Sequence, residues 1–542
     1  MRIARVAWTN YRRIPDAELM VRDRLMLVGP NDSGKSSVLQ ALHLCLGAAR
    51  SELSSAITVR DFTDMTQPLR LSVTLTDLTT DEAAAFPDEV DATGAEDTVT
   101  IAVEAMLDAA SGEDGFTNDV AESLTVRRFF VDAGHSRGPS RAQLEAISWF
   151  FLPASRSLTR ELGGQSGMLR ALLNSLDLID EAAQIEAATA ALKQAVDQAT
   201  TVKSLREALA SALDNALPRH VQPDDVQIST PMDLGESALS AMSVTIVDGD
   251  HLAGLAAQSD GLKALSLLAV LSVAQSGTKI VCVDEPENHL HVTAQRAVIR
   301  AFQSSPSQTI MASHSAAMIC RLHPCDVVAF GPDRVPRQLA ANSTFASATT
   351  AAKYWTPALV EALTAHKIFF VEGQSDVIVV ETVADLMGLR LDRAGVAIVG
   401  LDGGSSFPSA YRLLSTPGFG VPASGMVDED KRTTWADGLG VDPGALEAQG
   451  YLVCQPDLEA MYIDALGVPR VLELLRASPD VKERSILQMS AAASLDEVTA
   501  DGLAKFCRKY KVPAAVALSQ GMTRVDAESM PLLVSHLKAM LG

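Results

Sequence analysis

Residues Leu25–Ser37 read LMLVGPNDSGKSS, and this stretch decides how the rest of the chain is read. A short apolar run ends at Gly29. The spacing Gly29-x4-Gly34-Lys35-Ser36 then opens a helix-like segment, VLQALHLCLG. Strand, glycine loop and helix in that order form a phosphate-binding loop, in which backbone N–H groups and a helix N-terminus face phosphate oxygens. Lys35 is placed to reach the terminal phosphates and the Ser36 hydroxyl to ligate Mg²⁺, with Asn31 and Ser37 completing the loop. A nucleoside triphosphate, ATP with Mg²⁺, is the expected ligand.

Composition sets the outer bounds. A chain of 542 residues, 47% hydrophobic and 21% charged, is expected to fold into three or four domains with cores of their own. No apolar run approaches the ~20 residues of a membrane span, and MRIARVAW lacks a signal-peptide pattern, so a cytoplasmic protein with no membrane partner is expected. The six cysteines include no C-x-x-C pair and read as small buried hydrophobes rather than zinc ligands. A formal charge of -22 argues against indiscriminate nucleic-acid binding, while leaving room for a local basic groove or for clustered metal-binding carboxylates.

Strands are expected over residues 1–8, 69–76, much of 98–106, and 124–131, where apolar and polar residues alternate or strand formers dominate. Residues 111–119 read as an exposed loop tip. From about Leu158 to Leu217 the pattern turns helical, with Leu169, Leu172, Leu173 and Leu176 spaced along one face. That segment is either a helical subdomain packed on its neighbours or a helical hairpin making a dimer contact. Further strands are expected over 243–247, 279–283 and 308–312, and a helix near 261–274. Residues 333–357 lack periodicity and are read as a domain boundary. Strand–helix alternation resumes from Lys367 to about Ala465, and the last 75 or so residues look helical.

Two carboxylates, Asp284 and Glu285, end the apolar strand KIVCV about 250 residues after the phosphate loop. In such enzymes the first supports Mg²⁺ and the second polarises the attacking water. Gln258-Ser259-Asp260-Gly261 begins a helix about 25 residues earlier, His314 ends the next strand, and Gln67 precedes the strand at 69–76. These positions resemble the signature, switch-histidine and Q-loop elements of ABC-type ATPases with a long insertion. That resemblance implies a dimer, because one subunit's Ser259 and Gly261 would complete its partner's nucleotide site. The signature departs from the usual Ser-Gly-Gly, and Gln67 reads equally well as a lone polar loop residue.

A second acidic set follows. Lys367-Ile-Phe-Phe-Val-Glu372-Gly373-Gln-Ser-Asp376 is a strand with a carboxylate at its tip, then glycine and a helix. Ser424-Gly-Met-Val-Asp428-Glu429-Asp430 supplies another, with Asp428 and Asp430 on one face of an extended chain, and Asp457-Leu-Glu459 a third. Asp376 and Asp457 also suit ordinary first-turn helix positions. The Glu-Gly and Asp-x-Asp pair resembles a Toprim domain. An ATPase followed by Toprim resembles the OLD (overcoming lysogenisation defect) family of ATP-dependent endonucleases, on GPNDSGKSS, VDEPENHLH, ASHS, VEGQSD, VDED, DLE and FFLPASR. The resemblance implies dimerisation through the helical insertion, and DNA as substrate. It also implies two Mg²⁺ or Mn²⁺ ions on Glu372, Asp376, Asp428, Asp430 and Glu459, and an assisting lysine, for which Lys511 is the positional candidate beside Lys505 and Lys509. Anti-phage defence, with a helicase or other defence partner, belongs to the same implication. The competing class is a DNA-binding ATPase clamp with a non-catalytic Toprim domain. A topoisomerase or primase is disfavoured, since no catalytic tyrosine motif or Cys/His zinc pattern is present.

The expected fold is therefore α/β. Residues 1–157 and 218–345 form an ABC-type P-loop ATPase with an antiparallel β lobe, interrupted by a helical dimerisation segment at 158–217. A linker at 346–362 leads to a Toprim domain with a helical C-terminus at 363–542.

Overall fold

A computed structural model describes residues 1–108, 123–131, 137–154, 198–217, 220–229, 243–248, 251–254, 262, 280–340, 343, 345, 353–416 and 418–541. The chain forms two compact units: Met1–Leu27 with Gly34–Leu322, and Val28–Ser33 with His323–Gly542.

The first unit carries strands β1 (Arg2–Thr9), β2 (Ala17–Met20), β3 (Arg24–Val28), β4 (Leu69–Thr76), β5 (Val99–Asp108), β6 (Ser123–Phe130), β7 (Trp149–Leu152), β8 (Val226–Ser229), β9 (Ser243–Asp248), β10 (His251–Gly254), β11 (Ile280–Asp284) and β12 (Gln308–Ala312). An antiparallel sheet runs β2-β1-β4-β5-β6. Its period-2 pattern is plain in β4, where Leu69, Leu71, Val73 and Leu75 are buried and Arg70 is exposed. A parallel sheet places β11 between β7 and β12, with β3 beyond β12. Every residue of β11 and β12 is buried, as expected of a parallel sheet covered on both faces. A third sheet, β10-β9-β8, is antiparallel. The helix Lys35–Leu46 starts directly after Gly34, whose φ of 105° is left-handed and where a Cβ would stand 2.2 Å from Ile14 Cγ2.

The second unit holds β13 (Val327–Phe330), β14 (Pro336–Gln338), β15 (Lys367–Val371), β16 (Val396–Gly400), β17 (Ala423–Asp428) and β18 (Tyr451–Cys454). Its sheet, β16-β15-β17-β18, is parallel throughout. Helix Gln374–Leu386 packs with the C-terminal helices in one apolar core that includes Val379, Val383, Leu503, Phe506, Leu518 and Leu537. The C-terminal helices are thus part of this unit's core rather than an appendage.

Elements differ from the expectations in a few places. The β13–β14 hairpin falls partly inside the segment read as a boundary, because three residues flanked by Pro336 leave no period to read. The short strands β2 and β7 were likewise not anticipated. Of the helical insertion, residues 198–217 are described, including the helix Thr200–Ala216. Residues 158–197, the tip at 111–119, and the helix near 261–274 with Ser259 and Gly261 lie outside the described residues, apart from residue 262.

Candidate functional sites

In the first unit, Lys35 is nearly fully buried, at 5% exposure. Burial lowers its pKa to about 8, against the pull of Asp284, Glu285 and Glu287. Asp284, at the end of β11, is pushed up to about 6, first by burial, while the Ser36 hydroxyl hydrogen-bonds it. Its Oδ1 is buried with no hydrogen-bond partner among the described residues. Glu285 takes a left-handed φ of 48°, and its Oε1 lies 4.0 Å from His314 Nε2. Asn288 Nδ2 donates to its Oε2 at 2.8 Å. Burial, then the Lys35 charge, lowers the His314 pKa. The arrangement sets a cation and a hydroxyl at a helix start opposite carboxylates at a strand end, which suits a phosphate-bound divalent ion.

The other loop residues are more open: Asn31 and Ser36 are exposed, and Ser37 Oγ accepts from Arg12 at 3.2 Å. Gly29, directly after β3, has a φ of 154°. Gln67 is exposed; its carbonyl accepts from Asn10 Nδ2 at 2.8 Å.

Two residues here were missed by reading the sequence. Arg12 reaches Ser37 across 25 positions and also donates to Asp61 Oδ1 at 2.8 Å. Glu287 Oε1 accepts from Ser313 Oγ at 2.8 Å and from the His314 N–H at 2.6 Å, so it holds the loop that carries His314. The sequence signal for Glu287 was its place three residues after Asp284.

In the second unit the parallel strands deliver carboxylates to their C-terminal edge. Glu372 follows β15 and its Oε1 accepts from the Asp428 N–H at 3.0 Å. Glu372, Asp428 and Asp430 each offer a carboxylate oxygen within 4.8 Å of the others. Burial, then the Glu372 charge, pushes Asp428 up to about 8. Burial also raises Glu372 and Asp376. Asp430 is exposed and pairs with Lys431. Such a set of hard oxygen donors fits a divalent cation, whose charge would offset the burial and mutual repulsion of these carboxylates.

Asp376 and Glu459 do not join that trio. Asp376 Oδ2 accepts from the Gly373 N–H at 3.0 Å, the helix-capping role that its position also suggested. Glu459 is 2% exposed, and its Oε1 lies 3.4 Å from Lys511 Nζ while its Oε2 is buried with no hydrogen-bond partner among the described residues. Lys511 Nζ is also 3.7 Å from Asp428 Oδ2. Of the three lysines considered, Lys505 instead pairs with Asp501 at 2.8 Å and Lys509 is exposed. Asp457 accepts from the Ala460 N–H at 2.8 Å and pairs with Arg508, a contact spanning 51 positions that the sequence does not announce.

Comparison with known proteins bears on both sites. Residues 1–106 match the family model described as "AAA ATPase domain", and residues 114–319 the one described as "AAA domain, putative AbiEii toxin, Type IV TA system". Residues 363–430 match "Overcoming lysogenization defect protein-like, TOPRIM domain". No curated protein matches. Among solved structures, the SmcHead bound to the C-winged helix domain of ScpA is 16% identical, covering 62% of this chain and 98% of that one at a TM-score of 0.39. The SMC head domain from Thermotoga maritima is 13% identical, covering 60% and 94% at 0.30. The C-terminal region of the Burkholderia pseudomallei OLD protein is 19% identical, covering 33% and 99% at 0.27.

The chain is an AAA-type ATPase joined to a Toprim domain. That Toprim domain belongs to the OLD-like family. Among the described residues, no helix is long and apolar enough to cross a membrane.

Proposed function

We propose that this protein is an ATP-hydrolysing, Mg²⁺- or Mn²⁺-dependent DNA endonuclease that works as a homodimer. The observation that carries the reading is the convergence of Glu372, Asp428 and Asp430, with Lys511 beside Asp428 and Glu459. Glu372, Asp428 and Asp430 would hold divalent ions, which would supply an activated water and charge for the leaving oxygen of a phosphodiester. Glu372, Asp428 and Asp430 are the direct ligands in this reading, with Asp376 and Glu459 in support. Lys511 places a positive charge where a scissile phosphate would meet the carboxylates. At the other site Lys35, Ser36 and Asp284 hold ATP and its ion, Glu285 orients water, and His314 senses the terminal phosphate. Gln67, with Ser259 and Gly261 from the partner subunit, would complete that pocket. The helical segment at 158–217 is assigned to the dimer contact, and anti-phage defence to the biological role.

Purified protein incubated with supercoiled plasmid and Mg²⁺ or Mn²⁺ tests this. Nicked or linear product that chelator prevents, and that Asp428→Ala does not make, supports the nuclease. If no DNA is cut across metals, ATP concentrations and DNA topologies, a DNA-binding clamp is the better description.

A further inference from the structure

One indole touches both β17, which ends in Asp428, and the Gly403–Gly404 turn beside Glu372. Trp435, fully buried, lies in the helix Arg432–Leu439. Its Nε1–H donates to the Gly404 carbonyl at 3.0 Å. Its ring stacks on Phe407, with centroids 3.9 Å apart and planes 3° from parallel. On its other side Gly425 of β17 comes so close that a Cβ there would stand 3.0 Å from Trp435 Cζ3. β17 is the strand that ends in Asp428.

Gly404 in turn leans on Glu372. A Cβ at Gly404 would sit 2.9 Å from Lys431 Cγ, 3.0 Å from Glu372 Cδ and 3.1 Å from its Oε2, so a side chain there would press on the carboxylate and on Lys431. The neighbouring Gly403 N–H donates to the Glu372 carbonyl at 2.8 Å. The Gly403–Gly404 turn therefore fixes Glu372 from the backbone and from the side, and the Trp435 N–H fixes the turn. Buried groups behind metal ligands set where those ligands point.

We infer that Trp435 is a positioning residue for the metal site, acting through Gly404 on Glu372 and through Gly425 on β17. This rests on the metal-site reading above, and goes beyond it in naming what holds the ligands still. Trp435→Phe keeps an aromatic ring beside Phe407 while removing the N–H donor and part of the buried indole, so melting temperature is read alongside to separate lost packing from a freed Glu372.

The test uses nucleotide-free full-length protein. Mn²⁺ affinity is measured by calorimetry for wild type, Trp435→Phe, Gly404→Ala and Asp428→Ala, with melting temperature alongside. The expected result is an affinity about tenfold weaker for Trp435→Phe, weaker still for Gly404→Ala, and no binding at this site for Asp428→Ala. A second readout uses protein labelled with fluorotryptophan. Mg²⁺ should shift the Trp435 resonance in wild type and leave it unmoved in Asp428→Ala, and this arm stands even where a variant fails to fold. A folded Trp435→Phe that binds Mn²⁺ as wild type does, or a Trp435 resonance that ignores Mg²⁺ while wild type binds metal, overturns the inference alone. A wild type that binds no Mn²⁺ overturns the metal-site reading and this inference with it.

Discussion

Each unit sets a lysine with a partly or fully buried side chain against carboxylates at the ends of parallel strands, and these two, Lys35 and Lys511, respond in opposite ways. Lys35 is buried and its pKa falls to about 8 although Asp284, Glu285 and Glu287 all pull it up. Lys511 is more open, and although burial lowers it, Glu459, Asp428 and Asp376 together raise it. At the first site burial outweighs the carboxylates around the lysine, and a phosphate ligand would add negative charge beside it. The second has more carboxylates than its lysine can satisfy, and cations bring what is missing. The same parts, differently buried, ask for ligands of opposite sign.

The sharpest break of this comparison is genetic separation. Asp428→Ala should lower DNA cleavage at least about a hundredfold, while ATP hydrolysis, read by phosphate release, stays as in wild type. Glu285→Gln should do the reverse to the ATPase, lowering turnover about a hundredfold with ATP affinity retained. Lys35→Ala should abolish ATP binding itself. Normal turnover in Glu285→Gln would show that the water-orienting group lies elsewhere.

pH sharpens the contrast further. The protonated Lys35 is the form that meets phosphates, so ATP affinity should be full below about 8 and fall above it by up to about tenfold per pH unit. Asp428 sits at about 8 and is protonated in the ion-free site at pH 7, so a metal must displace that proton. Mn²⁺ affinity should therefore climb as pH rises towards 8 and level off above it. Calorimetry at several pH values reads both, and parallel trends would defeat the comparison. The smallest effects are expected from the supporting carboxylates. Asp376→Asn and Glu459→Gln should each weaken cleavage by about tenfold, with ATP turnover as the internal control.

How much of this was legible beforehand follows from sequence separation. The phosphate loop, Asp284-Glu285, Glu372-Gly373 and Asp428-x-Asp430 are each contiguous, and a strand tip carries its own signal in the apolar run before it. Lys511 could be placed only by analogy, because its meeting with Glu459 depends on how two helices dock. Trp435 on Gly404, Arg508 on Asp457 and Arg12 on Ser37 are contacts between positions 25 to 51 apart, with nothing local to mark them. Glu287 stood in plain view, but only the fold shows that it grips the His314 backbone rather than facing solvent.

The cations that answer the acidic edge of the Toprim sheet, Arg508 and Lys511, come late in the chain. During synthesis the strands carrying Glu372, Asp428, Asp457 and Glu459 leave the ribosome first. Until residues 500–521 follow, those carboxylates lack Arg508 and Lys511, and helix Gln374–Leu386 lacks part of the apolar core it shares. The order of translation therefore leaves this acidic edge without Arg508 and Lys511 until late, and a messenger truncated before Arg508 would yield a product that keeps the phosphate-loop sequence and lacks both cations of the second site.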